Sequence, residues 1–386
     1  MSNARRTGTF TESVIREMTR VAQQHGAINL AQGFPDFPMP SAMKAAACDA
    51  INGDVNQYAI TWGAKPLRDA IAGKYRQRYG MDVHPERDMT ITCGATEAMA
   101  AVFLALFDPG DEVLVFEPFY ENYGPDAILC DARPVFVPLT PPDWHFDAAA
   151  VEAAIGPRTR ALVVNSPHNP TGHVFSRDEL TVIARIAIEH DLLVITDDPY
   201  EYIVFSGAHV PIATLPGMSE RTVTISSLSK TFSITGWRIG YAIASPARTA
   251  AIRKVHDFLT VGAPAPLQEA AAIGYAFGEE YYQALSDTYR ARRDYLGASL
   301  RGAGFRFAEP QGAYYFLADF SALSEMDDVA FAKWMAKEIG VATVPGSSFF
   351  RPGSSSGSRY VRFAFCKQQA TLEAAVERLA KLAAAV

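Results

Sequence analysis

Cysteine is scarce in this chain. Cys48, Cys93, Cys130 and Cys366 are the whole complement among 386 residues, with no CxxC pair and no metal-ligand spacing. They read as small core residues in a reducing compartment, not as a disulfide framework or a metal cluster. Positive charge is also in short supply. The net charge of −7 argues against a nucleic-acid partner, which would call for a basic surface. No apolar run approaches the ~20 residues of a membrane span. Polar residues, not an apolar core, follow Met1-Ser2-Asn3-Ala4-Arg5-Arg6, so no secretory signal is expected and the chain reads as cytoplasmic. There is no internal repeat, and low complexity is confined to Pro352–Ser358, a loop. A GxGxxG is absent, and no P-loop glycines precede Lys230-Thr231, which leaves a nucleotide-binding enzyme little support.

What is present is ordinary globular composition, 49% apolar and 20% charged, in a chain long enough for two domains. Apolar periodicity predicts a helix over 13–25, stopped by Gly26, after a loosely held arm at 1–12. Strand-like runs then alternate with helical ones. Strands are expected at 88–93, 112–117, 134–138, 161–165, 192–197, 222–226 and 238–244. Helices are expected at 65–79, 96–107 and 178–190, the last opened by the capping box Ser176-Arg177-Asp178-Glu179. Alternation with short buried strands argues an α/β protein with a mainly parallel sheet covered by helices. A long helix at 279–302 leads into an α+β segment with strands at 313–319 and 359–365 and helices at 327–339 and 368–386.

The organising stretch is Ser227-Leu228-Ser229-Lys230-Thr231-Phe232-Ser233-Ile234-Thr235-Gly236-Trp237-Arg238-Ile239-Gly240. Lys230 stands just past a strand's C-terminal end, where parallel α/β sheets bind ligands. Burial and the cation Arg238 would lower its pKa and keep part of the amine neutral for attack on a carbonyl. Ser227, Ser229 and Arg238 could hold a phosphate. An amine beside a phosphate cradle suggests a lysine Schiff base with pyridoxal phosphate. Other stretches carry polar chemistry at strand ends. Cys93-Gly94-Ala95-Thr96-Glu97 reads as strand, glycine turn and helix start, a phosphate-binding geometry. Asn165-Ser166-Pro167-His168-Asn169-Pro170-Thr171-Gly172 is a strand and a dense turn. Leu192–Asp197 ends in carboxylates, and Arg362 is a lone charge in an apolar strand, where a guanidinium needs a partner.

The Ser227–Gly240 stretch resembles, position for position, the lysine-attachment motif of the class I/II (fold-type I) aminotransferases, and the other motifs follow in that family's order over roughly 28–380. The runs Gln32–Phe37 and Ile252–His256 are similar to the kynurenine, glutamine and methionine aminotransferase branch. The resemblance implies a large domain with a seven-stranded sheet sandwiched by helices, at 41–286, and a small α+β domain at 287–386 joined by the N-terminal arm and helix, 1–40. It implies that Lys230 is the catalytic attachment residue and that Ala95, Thr96, Ser227 and Arg238 bind the cofactor's phosphate. Tyr120 is implied to stack on the pyridine, Asn169 and Tyr200 to bond the ring oxygen, and Asp197 to pair with the ring nitrogen. Arg362, with Asn169, Gly33 and Phe34, is implied to hold the substrate. Tyr58 is implied to reach the phosphate of a partner in a homodimer. His168 gets no catalytic role, no metal is expected, and the Glu117–Pro118 and Asn169–Pro170 bonds are expected cis. Asp197-Asp198-Pro199-Tyr200 departs from the commoner Asp-Glu-Val-Tyr of the family.

The reaction so implied moves the amino group of an amino acid to a 2-oxo acid. Phe34, Trp62, Tyr314 and Phe349 are expected as pocket walls, which favours uncharged donors: hydrophobic, aromatic, methionine or glutamine-like. An aspartate or 2-aminoadipate aminotransferase stays open if Arg253, Lys254 or Arg351 reaches in. So does a β-lyase on the same scaffold, which would release pyruvate and ammonia without an oxo-acid acceptor. A regulatory protein that binds the cofactor without turnover is a third reading, disfavoured by the acidic chain and the short stretch ahead of the motifs.

Overall fold

The computed structural model describes residues 4–382. Its main sheet runs in the order Met89–Thr92, Gly240–Ile243, Thr222–Ser227, Leu193–Asp197, Thr159–Asn165, Glu112–Glu117, Arg133–Thr140, His145–Phe146. The strands from Thr222–Ser227 to Arg133–Thr140 are mutually parallel. Gly240–Ile243 runs against both of its neighbours. The seven expected strands are all present. The eighth, His145–Phe146, is a two-residue hairpin return on Arg133–Thr140, too short to register as a periodic signal.

Alternation along the strands sorts side chains to two buried faces, as a parallel sheet requires. Val113, Val115, Val163 and Ile195 point to one side, where Ala98, Val102 and Phe103 of helix Ala95–Leu106 pack. Leu114, Phe116, Leu162 and Val194 point to the other, against Leu180, Ile183 and Ala187 of helix Arg177–Glu189. The expected capping box opens that helix: Ser176 Oγ accepts from Glu179 N, and the Glu179 carboxylate accepts from Ser176 N. Such a cap stabilises a helix by about 1 kcal/mol.

The second sheet orders Tyr315–Asp319, Tyr360–Ala364 and Val344–Pro345 antiparallel. Helix Val14–His25, capped by Ser13 and ended by left-handed Gly26, packs beside it. Ile28–Asn29 pairs in parallel with Val341–Ala342, so both ends of the chain meet here. The helix expected at 327–339 is α-helical only over Asp328–Trp334 and closes in one π-helical turn, Met335–Ile339. The last helix spans Gln369–Leu379; residues 383–386 of its expected range, and 1–3 of the arm, lie outside the described residues. The arm is tied down more than its composition suggests, because Arg6 bonds Leu129 O at 2.9 Å and Asp131 at 3.2 Å. Among the described residues no helix is long and apolar enough to cross a membrane.

Strand register gathers the polar strand ends. Asn165 pairs with Asp197, Asp197 with Ile225, and Ser227 with Gly240, which pairs in turn with Thr92. Four strand ends therefore bring Asn165, Asp197, Ser227 and the Gly94 turn onto one rim of the sheet. Residues from the second sheet close over that rim.

Candidate active site

A cleft of about 820 Å³, counting its open mouth, occupies that rim, and Lys230 is among its lining. The ammonium donates to Gly33 O at 3.3 Å. Burial, together with the Arg238 and Arg362 cations and against the opposing influence of Cys366 and Asp197, lowers the Lys230 pKa to about 8. An amine so placed is partly neutral near physiological pH.

On one side of Lys230 lies the start of helix Ala95–Leu106. Its N-cap is Gly94, with no side chain to occupy the first N–H groups. Gly94 has φ +81°, and a Cβ there would stand 2.5 Å from Arg238 Nη2, so only glycine lets the guanidinium approach. The apolar pattern puts Arg238 inside a strand, and the structure corrects this. Arg238 adopts a left-handed conformation, φ 55°, after the turn Thr235–Trp237, and the strand begins at Gly240. That conformation sends Nη2 to Cys93 O (3.3 Å) and Nη1 to Thr235 O (3.1 Å). Ala95, Thr96, Ser227 and Ser229 line the cleft beside it. Helix N–H groups, hydroxyls and a guanidinium in one corner are the donor set for a phosphate.

Opposite stands Asp197, fully buried. Burial raises its pKa to about 6, while the Tyr123 hydroxyl and the Lys230 charge pull it down. Tyr123 OH donates to Oδ2 at 2.7 Å, and among the described residues Oδ1 has no partner. A buried carboxylate oxygen left unpaired fits a ring N–H donor, as a pyridinium would supply. Asp198 points elsewhere, accepting from Thr196 Oγ1 at 2.8 Å, and does not line the cleft. Tyr200 OH lies 3.0 Å from Tyr315 OH. Tyr120 lines the cleft, whereas Phe119 stacks on Phe136 with centroids 4.9 Å apart.

Arg362 is only 1% exposed and, among the described residues, no carboxylate pairs with it. Nη1 donates to Asn169 Oδ1 and Nη2 to Ala31 O, each at 2.9 Å, and Nε has no partner. The rings of Tyr315 and Phe349 hold it at 4.2 and 4.8 Å. Asn169 N donates to Asn165 Oδ1 at 2.7 Å, and Asn165 Nδ2 donates to Asp197 O, so these polar groups form one lattice. Glu117–Pro118 and Asn169–Pro170 are cis as expected; Pro141–Pro142 and Ser166–Pro167 are cis too. His168 bonds Thr171 at 2.7 Å and does not line the cleft.

Of the residues expected to hold cofactor or substrate, two stand apart from the cleft lining. Phe34 is 40% exposed and lies under Lys367 Nζ, though its neighbour Gly33 lines the cleft against Tyr315. Tyr58 is 83% exposed. The expected walls also need correction. Trp62 packs under Arg253, while Tyr314 and Phe349 are wholly buried behind the lining, and Tyr314 OH donates to Gly33 O. Tyr315, one residue on, lines the cleft instead, together with Ile15, Met99 and Pro199. Tyr123 and Asn165 are site residues that the sequence pattern does not reveal. Strand register could have flagged Asn165, which lies opposite Asp197.

The chain matches the family described as Aminotransferase class I and II over residues 25–379. It is 44% identical to the probable N-succinyldiaminopimelate aminotransferase of Mycobacterium tuberculosis, with 97% of each chain covered. It is 38% identical to the methionine aminotransferase of Escherichia coli, covering 96% of each. A solved structure of N-succinyldiaminopimelate aminotransferase from Mycobacterium tuberculosis superposes with a TM-score of 0.96 at 43% identity, covering 99% of this chain and 100% of that one. The amine, phosphate corner and unpaired carboxylate described above suit pyridoxal phosphate. On the match and the site together, this chain belongs to the class I and II aminotransferases and is a pyridoxal phosphate-dependent enzyme of fold type I.

Proposed function

We propose that the enzyme takes its amino group from an L-amino acid with an uncharged side chain, hydrophobic, aromatic, methionine or glutamine-like, and passes it to a 2-oxo acid. The observation that carries this reading is the cation count of the cleft. Among the described residues its lining holds Lys230, Arg238 and Arg362 and no other cation. Each has a task. Lys230 is the attachment residue, and its amine, with a pKa lowered to about 8, would take the proton from Cα of the donor in the first half-reaction and deliver one to Cα of the 2-oxo acid acceptor in the second. Arg238, with Ala95, Thr96 and Ser227, binds phosphate. Arg362, with Asn169 and the Gly33 backbone, takes the substrate's α-carboxylate, and a planar guanidinium suits that bidentate contact. No cation is left for a second carboxylate, which would be costly to bury alone.

When bound, the cofactor supplies an electron sink for the charge that develops at Cα. Asp197 Oδ1 would hold the proton of the ring nitrogen, while Tyr123 fixes the other oxygen. Tyr120, Tyr200 and Asn169 line the cleft where they would hold the ring, Tyr120 by its aromatic face and Tyr200 and Asn169 as hydrogen-bond donors. We further propose that the protein is a cytoplasmic homodimer in which exposed Tyr58 reaches the partner's phosphate. Of the division into 1–40, 41–286 and 287–386, the first boundary then falls at the start of helix Ser41–Asn52 and the second within the unbroken helix Glu279–Gly302.

A second reading is favoured by the mycobacterial relative, whose named substrate is a succinyl derivative of diaminopimelate and so carries further carboxylates. The two part cleanly in a panel of amino donors. Methionine, glutamine, leucine or an aromatic donor is expected to give the highest kcat/KM. A best rate with aspartate, 2-aminoadipate or an N-succinyl diamino acid would overturn the uncharged-donor assignment.

A further inference from the structure

We infer that His145, His173 and Glu179 form a site for one divalent transition-metal ion of the zinc, nickel or copper kind, separate from the catalytic cleft. The three residues come from three elements. His145 is in the short hairpin strand, His173 follows the turn that carries Asn169, and Glu179 is in the first turn of helix Arg177–Glu189. Glu179 Oε1 lies 2.7 Å from His145 Nδ1 and 3.0 Å from His173 Nε2. All three ligand atoms lie within 4.8 Å of one another.

Two imidazole hydrogen bonds to a shared carboxylate would account for part of this. The spacing accounts for more. Ligands about 2.0–2.1 Å from a tetrahedral ion stand roughly 3.3 Å apart, so each histidine donor need move only a few tenths of an ångström from Glu179, while the two histidine nitrogens, within 4.8 Å of each other, would close on the ion by rotation of the exposed His145 ring. Each neutral ring can bind through the nitrogen that now faces Glu179, its proton residing on the other ring nitrogen. The carboxylate is already oriented, since Oε2 accepts from Ser176 N at 2.8 Å. The His173 side chain is 3% exposed and the His145 side chain 59%, so the site is sunk on one side and open to water on the other. Two imidazoles and one carboxylate with open positions suit borderline ions better than magnesium or calcium, which prefer all-oxygen shells.

The ion would brace the loop, not take part in catalysis. His168 N donates to His173 O at 2.8 Å, and His173 N donates to Thr171 Oγ1 at 3.2 Å. The next residue after His168 is Asn169, which holds Arg362. Metal binding at the surface thus stiffens the turn that supports the substrate clamp.

The test uses the holoenzyme, stripped of metal on a chelating resin and titrated calorimetrically with zinc chloride. Its comparators are His145→Ala, at an exposed position, and Glu179→Gln, which retains the capping box because Gln serves there as well. One equivalent of zinc is expected for the wild type, with affinity weakened about tenfold or more in each variant, and with Co²⁺ the visible band of nitrogen ligation is expected only in the wild type. No uptake by the wild type, or equal uptake by the wild type and either variant, would overturn the site.

Discussion

Two buried polar clusters lie near each other in this protein, and they are built on opposite terms. Beyond Asp198, Lys74 Nζ sits 2.6 Å from Glu201 and 3.2 Å from Tyr241 OH, and Tyr79 OH donates to Glu201 at 2.7 Å. Burial pushes the Glu201 pKa up, but Lys74 and its hydrogen bonds more than offset that and hold the carboxylate ionised. Here each charge meets its opposite within the chain. In the catalytic cleft a cation and a carboxylate are left open: among the described residues Arg362 has no acid, and Asp197 Oδ1 and Arg362 Nε have no partner. Desolvating a charge costs several kcal/mol unless it is paired. A fold that satisfies one cluster and leaves its neighbour unsatisfied has placed the second for a ligand. On the proposed function, cofactor and substrate supply the missing partners.

The comparison can be broken most severely at the amine. Lys230→Ala should lower turnover by on the order of 10³ or more, because the Cα proton loses its carrier, while pyridoxal phosphate still binds through Ala95, Thr96, Ser227 and Arg238. Steady-state rates and a count of bound cofactor check both halves; turnover within tenfold of wild type would end the assignment of Lys230.

The adjacent aspartates give a sharper and smaller test. Asp197→Asn should cut kcat by roughly 10²-fold with little loss of cofactor, and Asp198→Asn should leave kcat near wild type. The stability of the cofactor-free enzyme should move the other way. Asp197 has its folded pKa raised from 3.8 to about 6, so its stabilising contribution is present below 3.8 and is lost as pH rises through about 6. The gap corresponds to roughly 3 kcal/mol. Asp197→Asn should therefore flatten the fall in apoenzyme stability between pH 4 and 6, read from urea midpoints; an unchanged slope would mean that the carboxylate is not strained by burial.

Much of this architecture is legible in the sequence. Strand limits at Glu112–Glu117 and helix limits at Lys65–Tyr79 follow from uninterrupted apolar patterns, and the capping box marks the start of Arg177–Glu189. Asp197 and Arg362 stand out because each ends or interrupts such a pattern with a charge that has no reason to be buried alone, whereas Lys230 and Asn169 lie in turns beyond the strand ends Ser227 and Asn165, and their roles are implied by the resemblance to the aminotransferase motifs. What escapes depends on one-residue geometry or on strand neighbours far apart in sequence. Tyr315 opens its strand and Tyr314 lies in the turn before it, and apolar character cannot say which faces the cleft. Arg238 continues an apolar run, but the close approach to Gly94 overrides its strand propensity. Asn165 gains its place only from the pairing with Asp197. The expected aromatic walls fail for a related reason: large apolar residues identify a core, and Tyr314 and Phe349 are core.

The cleft's charges are held against stability, and the most direct test is a pair of methionine substitutions compared in the apoenzyme by urea denaturation. Lys74→Met strands Glu201 and should cost about 3–5 kcal/mol. Arg362→Met removes a charge that no acid among the described residues neutralises, and should leave apoenzyme stability within about 1 kcal/mol of wild type or raise it, while lowering kcat/KM by at least about 10²-fold. Equal losses of stability at the two positions would show that Arg362 is a structural ion like Lys74, and would contradict its role as a charge kept free for substrate.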